Sequence, residues 1–387
     1  MLRDAIREHI SNGLQVPMQR NLIWRDSVDM SLGGEVWRQL SASTYRQELE
    51  DSGVQIYLLG GLYDVFRRDT VMMYHNLNNA RKLTFGPWYH VGIKRNPYPW
   101  VEVLRWFDYW LKGIDNGIMD ERPIQLCIGQ YNFVNQTHDG ENQNGWMESD
   151  AWPIHAGTRK TYYLSSQRNQ GALPVENGSL SEIAVSPEEL SCRAVYGITT
   201  SVESRFTEEE NGRGADQLGM TFVTPAFTQD CTFIGHPMAH LVFELLDPGC
   251  LGERADLDFF VTVSDYDPET GKSFQFDDGH LRSSQRGTSQ TCPYDFLGLP
   301  WHEARKEDTR YLRRGERYTL DIDLMPVCYT VKAGHRLRVS IENSQSRMYY
   351  AGMAQYEENP ACIPPQYKLI LGGEEGCRII FPNIFSK

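Results

Sequence analysis

The pattern of apolar and polar positions divides the chain near Ile118. Before that point apolar residues come as short continuous runs or at helical spacing. After it they come as many brief runs separated by Gly, Pro, Asn and Asp. Val54-Gln55-Ile56-Tyr57-Leu58-Leu59 is a mostly apolar run of the kind a doubly covered parallel sheet requires, and it stops at Gly60-Gly61. Val71, Met72, Tyr74 and Leu77 recur at roughly helical spacing between Arg68 and Asn78, and Lys82 to Phe85 predicts a second strand ending at Gly86-Pro87. The result is a βαβ unit, whose right-handed crossover brings both strand ends to one edge of the sheet. Trp100, Val103, Leu104, Phe107, Trp110 and Leu111 then predict an amphipathic helix up to Lys112, with Gly113 suited to the left-handed residue that follows a last turn.

Two residues with acid–base chemistry lie just past those strands. Asp64 follows the first, in Gly60-Gly61-Leu62-Tyr63-Asp64, and His90 follows the second, in Gly86-Pro87-Trp88-Tyr89-His90. An imidazole works as a general base near neutral pH only in the correct tautomer, which a buried carboxylate fixes. An acid before a base is also the chain order of the last two members of an α/β-hydrolase triad. The plainer alternative is that Asp64 ends a turn and His90 is a surface or core histidine. The nucleophile elbow, G-x-S-x-G, should lie upstream of the acid, yet Ser11, Ser27, Ser31, Ser41, Ser43 and Ser52 all lack that pattern. Gly178-Ser179 and Gly271-Lys272-Ser273 lie in polar turn sequence and lack it too. The sequence therefore offers an acid and a base without a nucleophile.

Residues 1 to 50 read as helical pieces, Glu35–Leu40 and Tyr45–Leu49, broken at Ser41-Ala42-Ser43, and have too little apolar material to fold alone. They are expected to rest as cap helices over the sheet. Residues 51 to 116 hold the βαβα unit, and its two strands alone would leave open edges that invite another polypeptide or self-association. Residues 117 to 387 carry strand-like runs at Ile124–Ile128, Thr161–Leu164, Ala239–Leu245, Phe259–Val263, Tyr318–Leu324 and Arg336–Ile341, which predict a β-sandwich. The fold class expected is thus α/β followed by all-β.

The order of several words along the chain resembles one known family, the serine hydrolases grouped with cocaine esterase, X-Pro dipeptidyl-peptidases and α-amino acid ester hydrolases (CocE/NonD-like). The matching words are GGLYDVF (60–66), GPWYH (86–90), LRWFDYWLKGIDNGI (104–118) and AGHRLR (333–338), with weaker ones at GADQ (214–217), LDFFVTV (257–263) and DGHLR (278–282). The resemblance implies a partial α/β-hydrolase domain with cap helices followed by a jelly roll, with Asp64 as triad acid and His90 as triad base. It implies that the serine and the first oxyanion-hole donors belong to a preceding segment of the hydrolase domain or a second chain. Trp88 and Tyr63, beside the two loops, are candidates for lining a substrate pocket, although a tryptophan packing its loop explains Trp88 as well.

Composition narrows the function classes. The 387 residues carry a net charge of −13, with 40% hydrophobic and 23% charged residues, the make-up of an ordinary globular protein large enough for two or three domains. Such a field repels phosphate backbones and anionic membranes, so no nucleic-acid or membrane partner is expected. Apolar stretches such as Ile56 to Leu62 fall far short of the roughly 20 residues a membrane span needs. The amino terminus mixes both charge signs and lacks the apolar core of a secretory signal, which points to a cytoplasmic protein if Met1 is the true start. The eight cysteines have no C-x-x-C spacing and read as buried free thiols rather than zinc ligands.

Other acidic groups are read first as structural. Glu208-Glu209-Glu210 reads as a solvated loop, Asp256 and Asp258 as one face of a strand or a Ca²⁺ pair, Asp277-Asp278-Gly279 as a hairpin turn, and His335 as the start of a strand. No metal or cofactor is expected. The expected substrate is a small ester, amide or peptide. The alternative function is a jelly-roll binding module, for which Trp146, Trp152, Tyr162 and Tyr163 are the aromatic candidates, or an inactive gene fragment.

Overall fold

The computed structural model describes residues 22–88, 97–130, 145–154, 157–169, 177–194, 209–210, 219–343 and 363–386. A two-residue antiparallel ladder of Val28–Asp29 on Gly34–Glu35 precedes the short helices α1 (Val36–Leu40) and α2 (Arg46–Asp51), and Val36 is the one buried residue between the two helices. Asn79 ties the end of α2 to the start of the first long strand, donating to the carbonyls of Leu49 and Val54. The stretch ahead of α1 turns away: the Arg25 amide donates to the Ala304 carbonyl, and the Arg25 guanidinium lies over the Trp301 ring.

The βαβ unit forms as its pattern predicts. Strand β1 (Ile56–Gly61), helix α3 (Arg67–Asn76) and strand β2 (Arg81–Gly86) follow in order, and the strands pair in parallel from Ile56 opposite Arg81 to Gly61 opposite Gly86. Helix α4 (Pro97–Lys112) follows, with Trp106 edge-on to Tyr57 of β1. Strand β2 buries a lysine, which is stable there because Lys82 Nζ donates to the Ile118 carbonyl and to Glu121.

Strand β3 (Ile124–Cys127) departs from expectation. It belongs to this smaller sheet, parallel to β2, rather than to the sandwich. A four-residue apolar run suits either sheet, and only its three-dimensional neighbours decide between them. The chain then crosses between sheets: β4 (Gly129–Gln130) pairs with Tyr329 and Thr330, and β5 (Trp146–Ser149) returns antiparallel to β3. The smaller sheet has the order β1-β2-β3-β5, with β1 at its edge.

The regular elements of the remainder are nearly all strands: β6 (Thr158–Ser165), β7 (Gly178–Ser181), β8 (Glu188–Arg193), β9 (Gly219–Val223), β10 (Cys231–Gly235), β11 (Met238–Asp247), β12 (Asp258–Asp267), β13 (Lys272–Arg282), β14 (Arg317–Asp323), β15 (Val327–Val331), β16 (Arg336–Glu342), β17 (Gln366–Leu371) and β18 (Arg378–Ser386). They run in the order β8-β17-β11-β18-β6-β7-β9-β16-β12-β13, with β14 beside β11, and β10 bridging β15 and β18. Aromatic side chains fill the interior, among them Phe276 stacked on Tyr329 at 4.1 Å and Phe243 against Phe259 at 4.8 Å.

Several turn assignments change. Asp277-Asp278-Gly279 lies inside β13 rather than in a turn, and the register shifts beside it between Val263 and Ser264. The hairpin turn falls instead between Asp267 and Lys272, where Gly271 has a φ of 71°. Glu209 and Glu210 pair with Ser273 and Lys272 instead of lying in a loop, while Glu208 is outside the described residues. Among the described residues six cysteines stand outside any disulfide, four of them buried as expected and Cys192 and Cys292 half-buried, while Cys250 is disulfide-bonded, which corrects the reading of the cysteines as free thiols.

Candidate active site

The edge where β1 and β2 end is held together by backbone hydrogen bonds. Leu62 N–H donates to the Gly86 carbonyl at 2.8 Å and Tyr63 N–H to the Trp88 carbonyl at 3.2 Å. The approach is close enough that a Cβ on Gly61 would sit 2.2 Å from the Trp88 oxygen, so only glycine fits at that position. Asp64 N–H closes a turn onto the Gly61 carbonyl, and one Asp64 carboxylate oxygen accepts from Phe66 N–H at 3.0 Å. That bond leads the chain into α3 and orients the half-buried carboxylate beyond the sheet edge. Beside it Val65 and Phe66 are 37% and 53% exposed, an apolar surface next to an acid.

Trp88 is fully buried. Its ring lies where a side chain on Gly86 would be, 2.3 Å from an ideal Cβ, and faces Trp146 at 6.1 Å. Tyr63 is buried as well, edge-on to Phe274 of β13 at 5.9 Å. Both aromatic rings pack against neighbouring side chains, Trp88 on the smaller sheet and Tyr63 on the larger one. His90 lies outside the described residues, so the loop that leads to it is followed as far as Trp88.

Sequence reasoning overlooked Arg67, the first residue of α3 and 1% exposed. Its Nη1 donates to the Leu62 carbonyl at 2.8 Å and to the Phe276 carbonyl at 3.0 Å, and its Nη2 reaches Asp278 at 2.5 Å and Asp277 at 3.3 Å. Next to it Arg68 pairs with Asp323 of β14. The signal was present in two resembling words, one with paired arginines after GGLYDVF and one with paired aspartates at the head of DGHLR.

The other singled-out groups take structural partners. Asp256 accepts from the Leu257 amide and from the hydroxyl of Ser283, and Asp258 is gripped by Arg282 at 2.7 and 2.9 Å. His335 pairs with the fully buried Asp265 at 2.7 Å, and Tyr329 donates to the other Asp265 oxygen. His75 engages both ring nitrogens, on the Trp152 carbonyl and on Asp295, which leaves neither for a substrate proton. Among the described residues no group of three or more His, Cys, Asp or Glu could hold a metal ion. Also among them, no helix is long and apolar enough to cross a membrane.

Comparison with known proteins agrees with this arrangement. A family model described as the X-Pro dipeptidyl-peptidase C-terminal non-catalytic domain matches residues 132–360, and the X-Pro dipeptidyl-peptidase (S15 family) model matches residues 6–92, the span that contains Asp64 and His90. A putative serine esterase of Mycobacterium bovis is 25% identical over 343 residues, covering 84% of this chain and 49% of that protein. A putative Xaa-Pro dipeptidyl-peptidase of Streptomyces avermitilis is 25% identical over 308 residues, covering 71% and 43%. Among solved structures, a CocE/NonD family hydrolase from Staphylococcus aureus has a TM-score of 0.64 at 16% identity, covering 86% of this chain and 54% of that one. An α-amino acid ester hydrolase gives 0.62 at 16% identity over 96% and 61%. The chain spans about half the length of the curated relatives it matches. With the C-terminal domain model alone matching residues 132–360 of 387, the chain belongs to the X-Pro dipeptidyl-peptidase family.

Proposed function

We propose that this chain is the C-terminal portion of a serine hydrolase that cleaves esters or amides, acyl ester or X-Pro peptide in type. Asp64 orients His90. His90 takes the proton of a serine hydroxyl as its oxygen attacks the carbonyl carbon, then delivers that proton to the leaving alkoxide or amine. The serine lies outside these 387 residues, on a preceding segment of the same polypeptide or on a second chain.

The observation that carries this reading is the bond from Tyr63 N–H to the Trp88 carbonyl, which draws the Asp64 turn and the loop toward His90 to one end of two parallel strands. Ligands and catalytic groups in open α/β sheets gather at the carboxyl ends of such strands. Further support comes from the edge strand β1 and from α4, which exposes Trp100, Leu104, Phe107 and Leu111 on one side. We read residues 1–50 as cap helices, 51–116 as the end of an α/β-hydrolase domain and 117–387 as a jelly roll that lends β3 and β5 to the smaller sheet.

The test is enzymatic. The isolated chain should leave nitrophenyl esters and X-Pro amides uncleaved, and co-expression with a preceding segment carrying an in-frame G-x-S-x-G should restore turnover that Asp64→Asn and His90→Ala abolish. Robust hydrolysis by the single chain, unchanged in His90→Ala, would refute the assignment.

A further inference from the structure

The mostly β part reaches the acid turn through two buried side chains, Arg67 and Tyr63, of which Arg67 makes the polar contacts. Arg67 stands three residues after Asp64, and its guanidinium holds the Leu62 carbonyl on one side and Phe276, Asp277 and Asp278 of β13 on the other. Arg67, Asp277 and Asp278 are 1%, 0% and 2% exposed, so water cannot substitute for any of these contacts. Asp278 is itself fixed, with its carbonyl accepting from the Met325 amide and its own amide donating to Asp277. The planar fork of an arginine suits this task, since its two terminal nitrogens reach two carbonyls and two carboxylates in fixed directions, one acceptor more than the three donors of an ammonium can serve. Tyr63, packed on Phe274 of the same strand, joins the 62–66 turn to β13 a second time.

We propose that Arg67 is a positioning residue: clamped by Asp277 and Asp278, it fixes the 62–66 turn, so that the β-rich part of the chain sets where the Asp64 carboxylate points. The catalytic meaning of this clamp rests on the reading of Asp64 as the triad acid. The clamp itself does not.

Hydrogen exchange on the full chain tests it. In the unmodified protein under native conditions, the Tyr63 and Phe66 amides should open in the same cooperative unit as the β12–β13 ladder. In Asp278→Asn and in Arg67→Lys, exchange at Tyr63 and Phe66 should rise about tenfold or more while the β11–β17 ladder keeps its protection. The Asp64 ¹³Cγ resonance should shift in both variants, and the charge-conserving lysine should fail to restore it. The clamp is overturned if both variants keep the unmodified exchange rates and the Asp64 resonance, or if the turn opens independently of β13 in the unmodified protein. Full turnover in Asp64→Asn would instead remove the catalytic reading and leave the exchange result standing.

Discussion

Tyr63 donates its amide hydrogen to the Trp88 carbonyl at 3.2 Å, and this bond joins the turn that carries Asp64 to the loop that leads to His90. It can form because Gly61 has no side chain: the Trp88 oxygen occupies the space a Cβ would need. The approach of the Asp64 turn to the loop after β2 thus depends on a residue with no chemistry of its own.

Gly61→Ala should therefore push the two loops apart. An alanine Cβ 2.2 Å from a backbone oxygen cannot be relieved by a side-chain rotation, so the backbone must move. The expected destabilisation is about 1–3 kcal/mol, the usual range for overpacking. Urea unfolding measures it, and in the reconstituted hydrolase the same substitution should lower turnover. A variant as stable as the parent would show that the two loops are not in close contact.

The apolar side of α4 should govern assembly. Trp100, Leu104, Phe107 and Leu111 are 50%, 56%, 49% and 76% exposed, and β1 beside them is an edge strand. Leu104→Glu with Leu111→Lys should leave folding within about 0.5 kcal/mol of the parent, as surface changes generally do. The pair should reduce self-association in size-exclusion chromatography and block the activity gained by co-expression. Unimpaired reconstitution would place the partner elsewhere.

His335 should couple stability to pH. Its hydrogen bond to Asp265 lifts its pKa above the ordinary 6.5, against the effect of burial, with Asp265, Asp267 and Glu269 adding charge of the same sense. The folded state then holds a proton that the unfolded chain releases. This contribution is complete below about pH 6.5 and is lost as pH rises through the folded midpoint. His335→Ala should cost about 2 kcal/mol at pH 6, the scale of a hydrogen bond to a charged group, and less at pH 9. Urea midpoints at the two values decide it, and a pH-independent difference would contradict the ion pair.

The features that could be read from the sequence are those set by neighbours along the chain. The β1–α3–β2 unit and α4 are written as apolar runs and helical spacing within a few residues, and Asp64 sits where the end of its strand puts it. What could not be read depends on contacts far away in sequence. Asp277-Asp278-Gly279 has the composition of a turn, and Arg67, more than two hundred positions earlier, is what brings a cation to two carboxylates inside a strand. Ile124–Cys127 satisfies either sheet until β2 claims it. Trp88 lies over the bare Cα of Gly86, a contact that the spacing of two residues along the chain does not show.

His236 should limit stability in acid. Its Nε2 accepts from the Trp152 indole N–H at 3.1 Å, which leaves the ring hydrogen on Nδ1, where it has no partner among the described residues. Burial, reinforced by the positive fields of Arg68, His75 and Arg67, drops its pKa from 6.5 to about 3. Between those values the unfolded chain gains a proton that the folded one refuses, so stability falls as pH falls, by about 1.4 kcal/mol per pH unit once the unfolded histidine is fully titrating. Gln can accept the indole hydrogen bond through its amide oxygen without titrating. His236→Gln should then unfold with a flatter dependence on pH between 6 and 4, by about 1.4 kcal/mol per unit, in urea titrations followed by tryptophan fluorescence. Parallel curves for the two proteins would mean that the ring takes up its proton in the folded state, and that the Trp152–His236 contact breaks on acidification rather than resisting it.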